Sequence, residues 1–334
     1  MTSTAYSSAL IGVFVLCLAF GWYLSTRVLR YLLASSIMDI PNERSSHQAP
    51  TPRGGGWAVM LTVVPVFAIA GIAFDRPLEA GAVLLGTLAL MGVSWMDDRR
   101  TLSPLLRLAV QALAVAFGLL ALPSDQLVWQ GWLPWGLDRA ATAFLWLWFV
   151  NLYNFMDGID GLAGSETILI GGGVALVSLV MGDFGLTGVA GAALAGAAAG
   201  FLTHNWRPAR MFMGDVGSIP LGHILAFLLA SLAARGDWAA ALILPAYYLT
   251  DATITLLRRL LRGEKIWQAH REHFYQKAAK GAGRHDRVVL TIIGYSLVLV
   301  VAALAAGTYG AWTLAPGAVT VALLLATLTR MSKA

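Results

Sequence analysis

Eleven stretches of this chain stay apolar for about 18 residues or more, and that recurrence limits the solvents in which it can fold. They run over roughly 10–33, 55–74, 78–96, 104–122, 139–156, 166–182, 185–203, 217–234, 238–257, 288–306 and 308–328. At 1.5 Å per helical residue, each can cross about 30 Å of hydrocarbon. Of the 334 residues, 58% are hydrophobic and 12% are charged, which excludes an ordinary soluble domain. The first run has no small-residue cleavage site after a short apolar core, so it reads as a retained helix. The expected fold is therefore an all-α integral membrane protein: one polytopic domain over 1–334 with about eleven transmembrane helices.

Basic residues orient such a chain, because Lys and Arg are retained on the cytoplasmic side. With the N-terminus outside and the C-terminus cytoplasmic, segments 27–53, 97–107, 205–215, 258–287 and 329–334 lie inside and hold 20 of the 23 basic residues. Only Arg76, Arg139 and Arg235 fall outside. The formal charge of +5 thus reports topology and contact with anionic headgroups, and calls for no nucleic-acid partner. The single Cys17 excludes an intrachain disulfide or a cysteine metal cluster. Trp129, Trp132 and Trp135 in the outer connection 123–138 suit an interfacial anchor. Glycine and alanine runs at 171–173 and 191–200 suit close helix packing.

The positive-inside pattern does not account for the acids. Asp97 and Asp98 end the third run, Asp157 and Asp160 stand in NLYNFMDGIDGLAG, and Asp215 stands in MFMGDVGS, all at the same membrane edge. Each alone reads as a solvated helix end or an N-cap. Three acidic loops at one face instead suggest a cation held by hard oxygen ligands, Mg2+ or Mn2+. Asp157 and Asp160, three apart, share a face if their segment is helical. Only one of the adjacent pair Asp97 and Asp98 can reach the metal, leaving the other to position the loop. Glycines flank these acids, and Arg44, Arg53, Arg99, Arg100, Arg107, Arg207 and Arg210 lie nearby. A magnesium site beside arginines at a membrane describes a diphosphate substrate meeting a lipid-borne acceptor. The active site is expected on loops 34–54, 97–107, 151–165, 204–217 and 258–287. Asp251, inside the ninth run, reads as a structural partner for an arginine of the basic run that follows it. A transporter or flippase for a phosphorylated lipid is the rival reading, but its site would lie near the midplane on repeated halves. A noncatalytic scaffold would leave the acids, glycines and arginines unexplained.

The ordered set PNERSSHQAPTPRGGG, DDRRTLSPLLRLAVQ, NLYNFMDGIDGLAGSE, NWRPARMFMGDVGS and HREHFYQ resembles the polyprenyl-phosphate N-acetylhexosamine-1-phosphate transferases over nearly the whole chain. The resemblance implies that a UDP-N-acetylhexosamine gives its sugar 1-phosphate to undecaprenyl or another polyprenyl phosphate, with UMP released and Mg2+ required, in the bacterial cytoplasmic membrane. It implies Asp215 and Asp97 as metal ligands and Asp97, Asp98, Asp157, Asp160, His270 and His273 as catalytic residues. Donor or acceptor contacts fall to His47, Arg53, Arg107, Asn151, Asn154, Asn205, Phe212 and Arg271, with Phe212 stacking on uracil. It also implies a homodimer. In place of the three consecutive histidines of the pentapeptide-transferring branch, this chain has His-Arg-Glu-His. That points away from a MurNAc-pentapeptide donor in peptidoglycan synthesis and toward the branch that initiates O-antigen of lipopolysaccharide.

Overall fold

The computed structural model describes residues 2–41, 49–100, 102–265 and 270–333. All eleven apolar runs coincide with helices. These are α1 (Ser3–Ala34), α2 (Gly56–Ala73), α3 (Pro77–Arg99), α4 (Pro104–Leu120), α5 (Trp135–Phe155), α6 (Leu162–Val180), α7 (Leu186–Asn205), α8 (Asp215–Leu232), α9 (Trp238–Ile243), α10 (Ala246–Leu261), α11 (Phe274–Ala282), α12 (His285–Tyr309) and α13 (Leu314–Met331). Among the described residues, seven helical stretches are long and apolar enough to cross a membrane; one of them, His285–Met331, contains both α12 and α13, joined by the 3-10 turn Gly310–Thr313. A five-residue π-helical turn, Ala233–Asp237, joins α8 to α9. The run 238–257 departs from expectation. It breaks at Leu244–Pro245 into α9 and α10, because proline removes an N–H and clashes with the preceding turn.

Local signals set several helix starts. Ser103 caps α4 by accepting from Leu106 N–H at 3.3 Å, with Pro104 at the first helical position. Packing then depends on small residues. A Cβ on Gly56 would stand 2.2 Å from the Gly217 Cα, so α2 and α8 meet backbone to backbone at their N-termini. The same closeness joins Gly171 to Gly191 across α6 and α7, and Gly200 to Trp22 across α7 and α1. The glycine and alanine runs at 171–173 and 191–200 therefore act as helix seams. Ile11, Leu16 and Trp22 on α1 are exposed, as a lipid-facing surface requires.

Helix ends separate into two sets. At one end of the bundle, the segment before α2 pairs with the segment before α8: Gly55 N–H and Gly56 N–H donate to Phe212 O and Met213 O, each at 2.8 Å. A two-stranded sheet, Met38–Asp39 against Thr51–Pro52, covers the same end, and Arg53 bridges to Phe212 in parallel. At the opposite end Arg235 pairs with Asp183, and Arg139 donates to Pro123 O and Gln126 O. Arg76 pairs there with Glu79. Trp132 and Trp135 are exposed at that end, and Trp132 meets Trp238 edge-on. The three basic residues set apart by sequence thus share one end, and the acidic loops share the other.

Candidate active site

Four helix junctions meet at the acidic end, and Arg53 is their common point. Its Nη2 lies 2.7 Å from Asp215 Oδ1 and 3.2 Å from Asp98 Oδ1, so one guanidinium nitrogen bridges two carboxylates from different helices. Burial opposes the Arg53 charge, but Asp215, Asp98 and Asp39 more than compensate and hold it above the ordinary arginine value. Gly214, at φ +73°, turns the chain so that Asp215 opens α8 directly behind the Phe212–Gly54 contact. Asp157 lies within electrostatic reach of this cluster. Burial first, and Asp215 second, push its carboxyl up to about 8, with Arg53 pulling the other way.

Asp97 takes a different place from the one expected. Its Oδ1 accepts from Leu102 N–H at 2.7 Å and its Oδ2 from Arg107 Nη1 at 2.8 Å. Both oxygens brace the α3–α4 turn, and Asp98 is the member of the pair that reaches Arg53 and is bridged through it to Asp215. Asp157 and Asp160 share no helical face either. The helix ends at Phe155 and restarts only at Leu162, so the loop sends Asp157 toward Arg53 and Asp160 into a separate cavity.

That cavity, about 500 Å³ in volume, lies beside the cluster and is lined by Thr51, Asp160, Arg207, Phe212, Arg271 and Lys280 among others. Burial raises the Asp160 carboxyl, but His285, Ala209 N–H and Arg207 outweigh it and hold the group below its ordinary value of 3.8. Asn205 is buried behind the site. It accepts from Gly161 N–H and donates to Met211 O, each at 3.0 Å, and so ties the α5–α6 loop to the α7–α8 loop. Asn154 Oδ1 accepts from Ser218 Oγ at 2.9 Å, and Asn151 donates to Gln111 and Leu147 O. His47 and Arg44 lie outside the described residues.

The histidine segment is anchored by Asp251, whose partner is not an arginine. Fully buried, Asp251 accepts from His273 Nδ1 (3.2 Å), Phe274 N–H (3.0 Å), Tyr275 N–H (3.2 Å), Tyr247 OH (3.2 Å) and Thr255 Oγ1 (3.3 Å). It therefore caps α11 from within α10. Within the basic run expected to supply its partner, Arg259 pairs instead with Glu264 and Glu272. His273 is buried against Asp251 and Tyr275, whereas His270 is half-buried and stacks near His273. Burial first, then His273 and Arg259, lower His270 to about 4, with Glu272 and Glu264 pulling the other way. His204 bonds Thr26 and Thr203, and His223 accepts from Trp146 Nε1.

Among the described residues, no three His, Cys, Asp or Glu side chains stand arranged to hold a metal, and Arg53 lies between the two nearest carboxylates. The donor chemistry nonetheless fits magnesium. Asp98 and Asp215 offer hard oxygens, and Asp98 Oδ2 is buried without a hydrogen-bond partner. Magnesium commonly takes one or two carboxylates and completes its shell with phosphate and water.

Reading the sequence missed His285 and Lys280 as site residues. The available signal was a histidine at the mouth of an apolar run, in GRHDR, which is weak by itself.

An integral membrane protein with a carboxylate and arginine site at one end of its helix bundle is the class these features define. A glycosyl transferase family 4 model matches residues 80–233. The chain is 30% identical over 315 aligned residues to a decaprenyl-phosphate N-acetylglucosaminephosphotransferase of Mycobacterium tuberculosis (strain CDC 1551 / Oshkosh), covering 81% of this chain and 76% of the relative. A phospho-N-acetylmuramoyl-pentapeptide-transferase of Synechococcus sp. (strain CC9605) is 38% identical over 209 residues, 54% of this chain and 57% of the relative. A probable undecaprenyl-phosphate N-acetylglucosaminyl 1-phosphate transferase of Bacillus subtilis (strain 168) is 25% identical over 301 residues, 85% of this chain and 81% of the relative. The chain belongs to glycosyl transferase family 4, the polyprenyl-phosphate N-acetylhexosamine-1-phosphate transferases.

Proposed function

We propose that this protein transfers an N-acetylhexosamine 1-phosphate from a UDP-sugar to undecaprenyl phosphate, releasing UMP and leaving a lipid-diphosphate sugar. One observation carries the reading. A guanidinium-bridged pair of carboxylates lies beside a cation-lined cavity of about 500 Å³ at the bundle end where the acidic loops meet. The relatives' names supply the substrate classes, phosphorylated polyprenols and N-acetylated amino sugars. The basic-residue asymmetry supports a cytoplasmic position for this end, where nucleotide sugars are available.

The chemistry asks little of a general base, because a phosphate monoester has a second pKa near about 6 and is largely dianionic at neutral pH. An acceptor oxygen attacks the sugar-bearing phosphorus, the new P–O bond forms as the bond to UMP breaks, and UMP leaves with that electron pair. Arg207, Arg271 and Lys280 draw the donor diphosphate into the cavity, and Phe212 offers an aromatic wall. Arg53 and the loops tied by Asn205 hold Asp98, Asp157 and Asp215 in place. Bound Mg2+, held by Asp98 and Asp215, would supply charge neutralisation to the diphosphate. The His-Arg-Glu-His segment favours a donor of the O-antigen-initiating class over a MurNAc-pentapeptide.

The test supplies purified protein in lipid with undecaprenyl phosphate, Mg2+ and a panel of UDP-N-acetylhexosamines including UDP-MurNAc-pentapeptide. UMP release with at least one N-acetylhexosamine supports the reading. Turnover of the pentapeptide donor alone moves it to peptidoglycan synthesis, and no turnover with any donor overturns it. A phosphorylated enzyme trapped in the absence of acceptor would replace direct attack with a covalent route.

A further inference from the structure

Asp160 is an acidic wall residue in a cavity also lined by Arg207, Arg271 and Lys280, and it is fixed from outside the loop that bears it. His285, the first residue of α12, places Nδ1 at 3.3 Å from Asp160 Oδ1 and 3.4 Å from Asp160 N. One nitrogen cannot donate to the carboxylate and accept from the amide at once. With a proton on Nδ1 it holds the carboxylate, and without one it holds the backbone of the same residue. Either form tethers the glycine-flanked loop 156–161 to α12. Asn205 secures the next residue, Gly161, to the end of α7 at 3.0 Å, and Asp160 Oδ2 accepts from Ala209 N–H at 3.2 Å. The carboxylate therefore has a fixed position and remains an acceptor-only group at neutral pH.

From this geometry we propose that His285 is a positioning residue for the donor nucleotide-sugar, acting through Asp160 to hold a carboxylate against a hydroxyl or N–H of that ligand. This rests on the reading of the cavity as the UDP-sugar site. Both residues line the cavity read as the donor's, so donor affinity should depend on the pair while acceptor affinity should not.

The experiment measures binding of UDP-GlcNAc to the full-length protein by ligand-induced thermal shift, together with KM for donor and for undecaprenyl phosphate. His285→Ala should weaken donor binding about tenfold, as expected for loss of a hydrogen bond to a charged group, and leave the acceptor KM unchanged. His285→Asn, whose amide can replace Nδ1 as donor or acceptor, should restore most of the affinity. Asp160→Asn combined with His285→Ala should bind no worse than Asp160→Asn alone. If His285→Ala fails to fold, His285→Gln, with its amide displaced by one methylene, provides the comparison with His285→Asn. Unchanged donor affinity, equal losses for donor and acceptor, or additive losses in the double variant would overturn the proposal. Nucleotide binding without sugar-phosphate transfer would overturn the proposed reaction while leaving His285 and Asp160 as a nucleotide-binding pair. No nucleotide binding by the wild type would sink both.

Discussion

Replacing Arg53 by Met removes the positive charge between Asp98 and Asp215 and nearly preserves the side chain's volume. The structure sets the magnitude. Two ion contacts of 2.7 and 3.2 Å are lost, and the carboxylates left behind are only 15% and 7% exposed. Removing one partner of a fully buried ion pair costs about 3–5 kcal/mol. Because the Arg53 side chain is 37% exposed, solvent screens part of that, and about 2–3 kcal/mol is expected. In a chain of this size such a loss lowers Tm by roughly 3–4 °C. Arg53→Lys should fall in between, since an ammonium keeps the charge but lacks the planar fork. Melting is followed by intrinsic fluorescence in detergent, with and without Mg2+. The metal should restore more stability to Arg53→Met than to wild type, because a cation then meets two carboxylates with no guanidinium between them. An unchanged Tm in Arg53→Met would refute the electrostatic argument. A lowered Tm that Mg2+ does not raise would remove Asp98 and Asp215 as its holders.

Three further outcomes follow from the contacts described. Asp97→Ala frees Leu102 N–H and Arg107, so it should cost about 1–3 kcal/mol, with a coupling to Arg107→Ala of about 1 kcal/mol in a double-mutant cycle; a coupling of zero would show that Asp97 does not brace the turn. Asp251→Ala leaves five donors without their acceptor, two of them backbone N–H groups at the start of α11. Limited proteolysis should then cut first between α10 and α12, and wild-type resistance there would contradict the cap. Asp160 is held below its ordinary carboxylate value, so its stabilisation is complete above about pH 4 and lost as pH falls through that depressed value. The Tm gap between wild type and Asp160→Asn should therefore narrow from about pH 6 to about pH 3, and a constant gap would count against the assigned charge.

Much of the fold was legible because hydrocarbon imposes a length and a polarity on every crossing segment, and the apolar runs lie in helices, although only seven helical stretches among the described residues are long and apolar enough to cross. Hydropathy alone passes over a backbone break inside an apolar run, and so α9 and α10 read as one helix although Pro245 was in view. The acidic loops were legible as a group, since carboxylates at one membrane edge need a shared reason. Their internal arrangement was not. Spacing treated Asp157 and Asp160 as neighbours on a helix, whereas the unwound loop points them at different parts of the site. Asp97 and Asp98 are adjacent in sequence, and only the conformation of the α3–α4 turn decides which one binds Leu102 N–H and which one meets Arg53. Asp251 and His285 depend on contacts across 22 and 125 residues, which no local pattern records.

Following the donor's phosphorus tests the central claim most directly. With UDP-GlcNAc, or the donor that proves active, labelled on the sugar-bearing phosphorus, the protein in lipid vesicles with undecaprenyl phosphate and Mg2+ should move the label into the lipid fraction. One unlabelled UMP should appear for each lipid product. Label remaining in soluble UDP while sugar enters the lipid would mean glycosyl transfer without its phosphate, and would contradict the account.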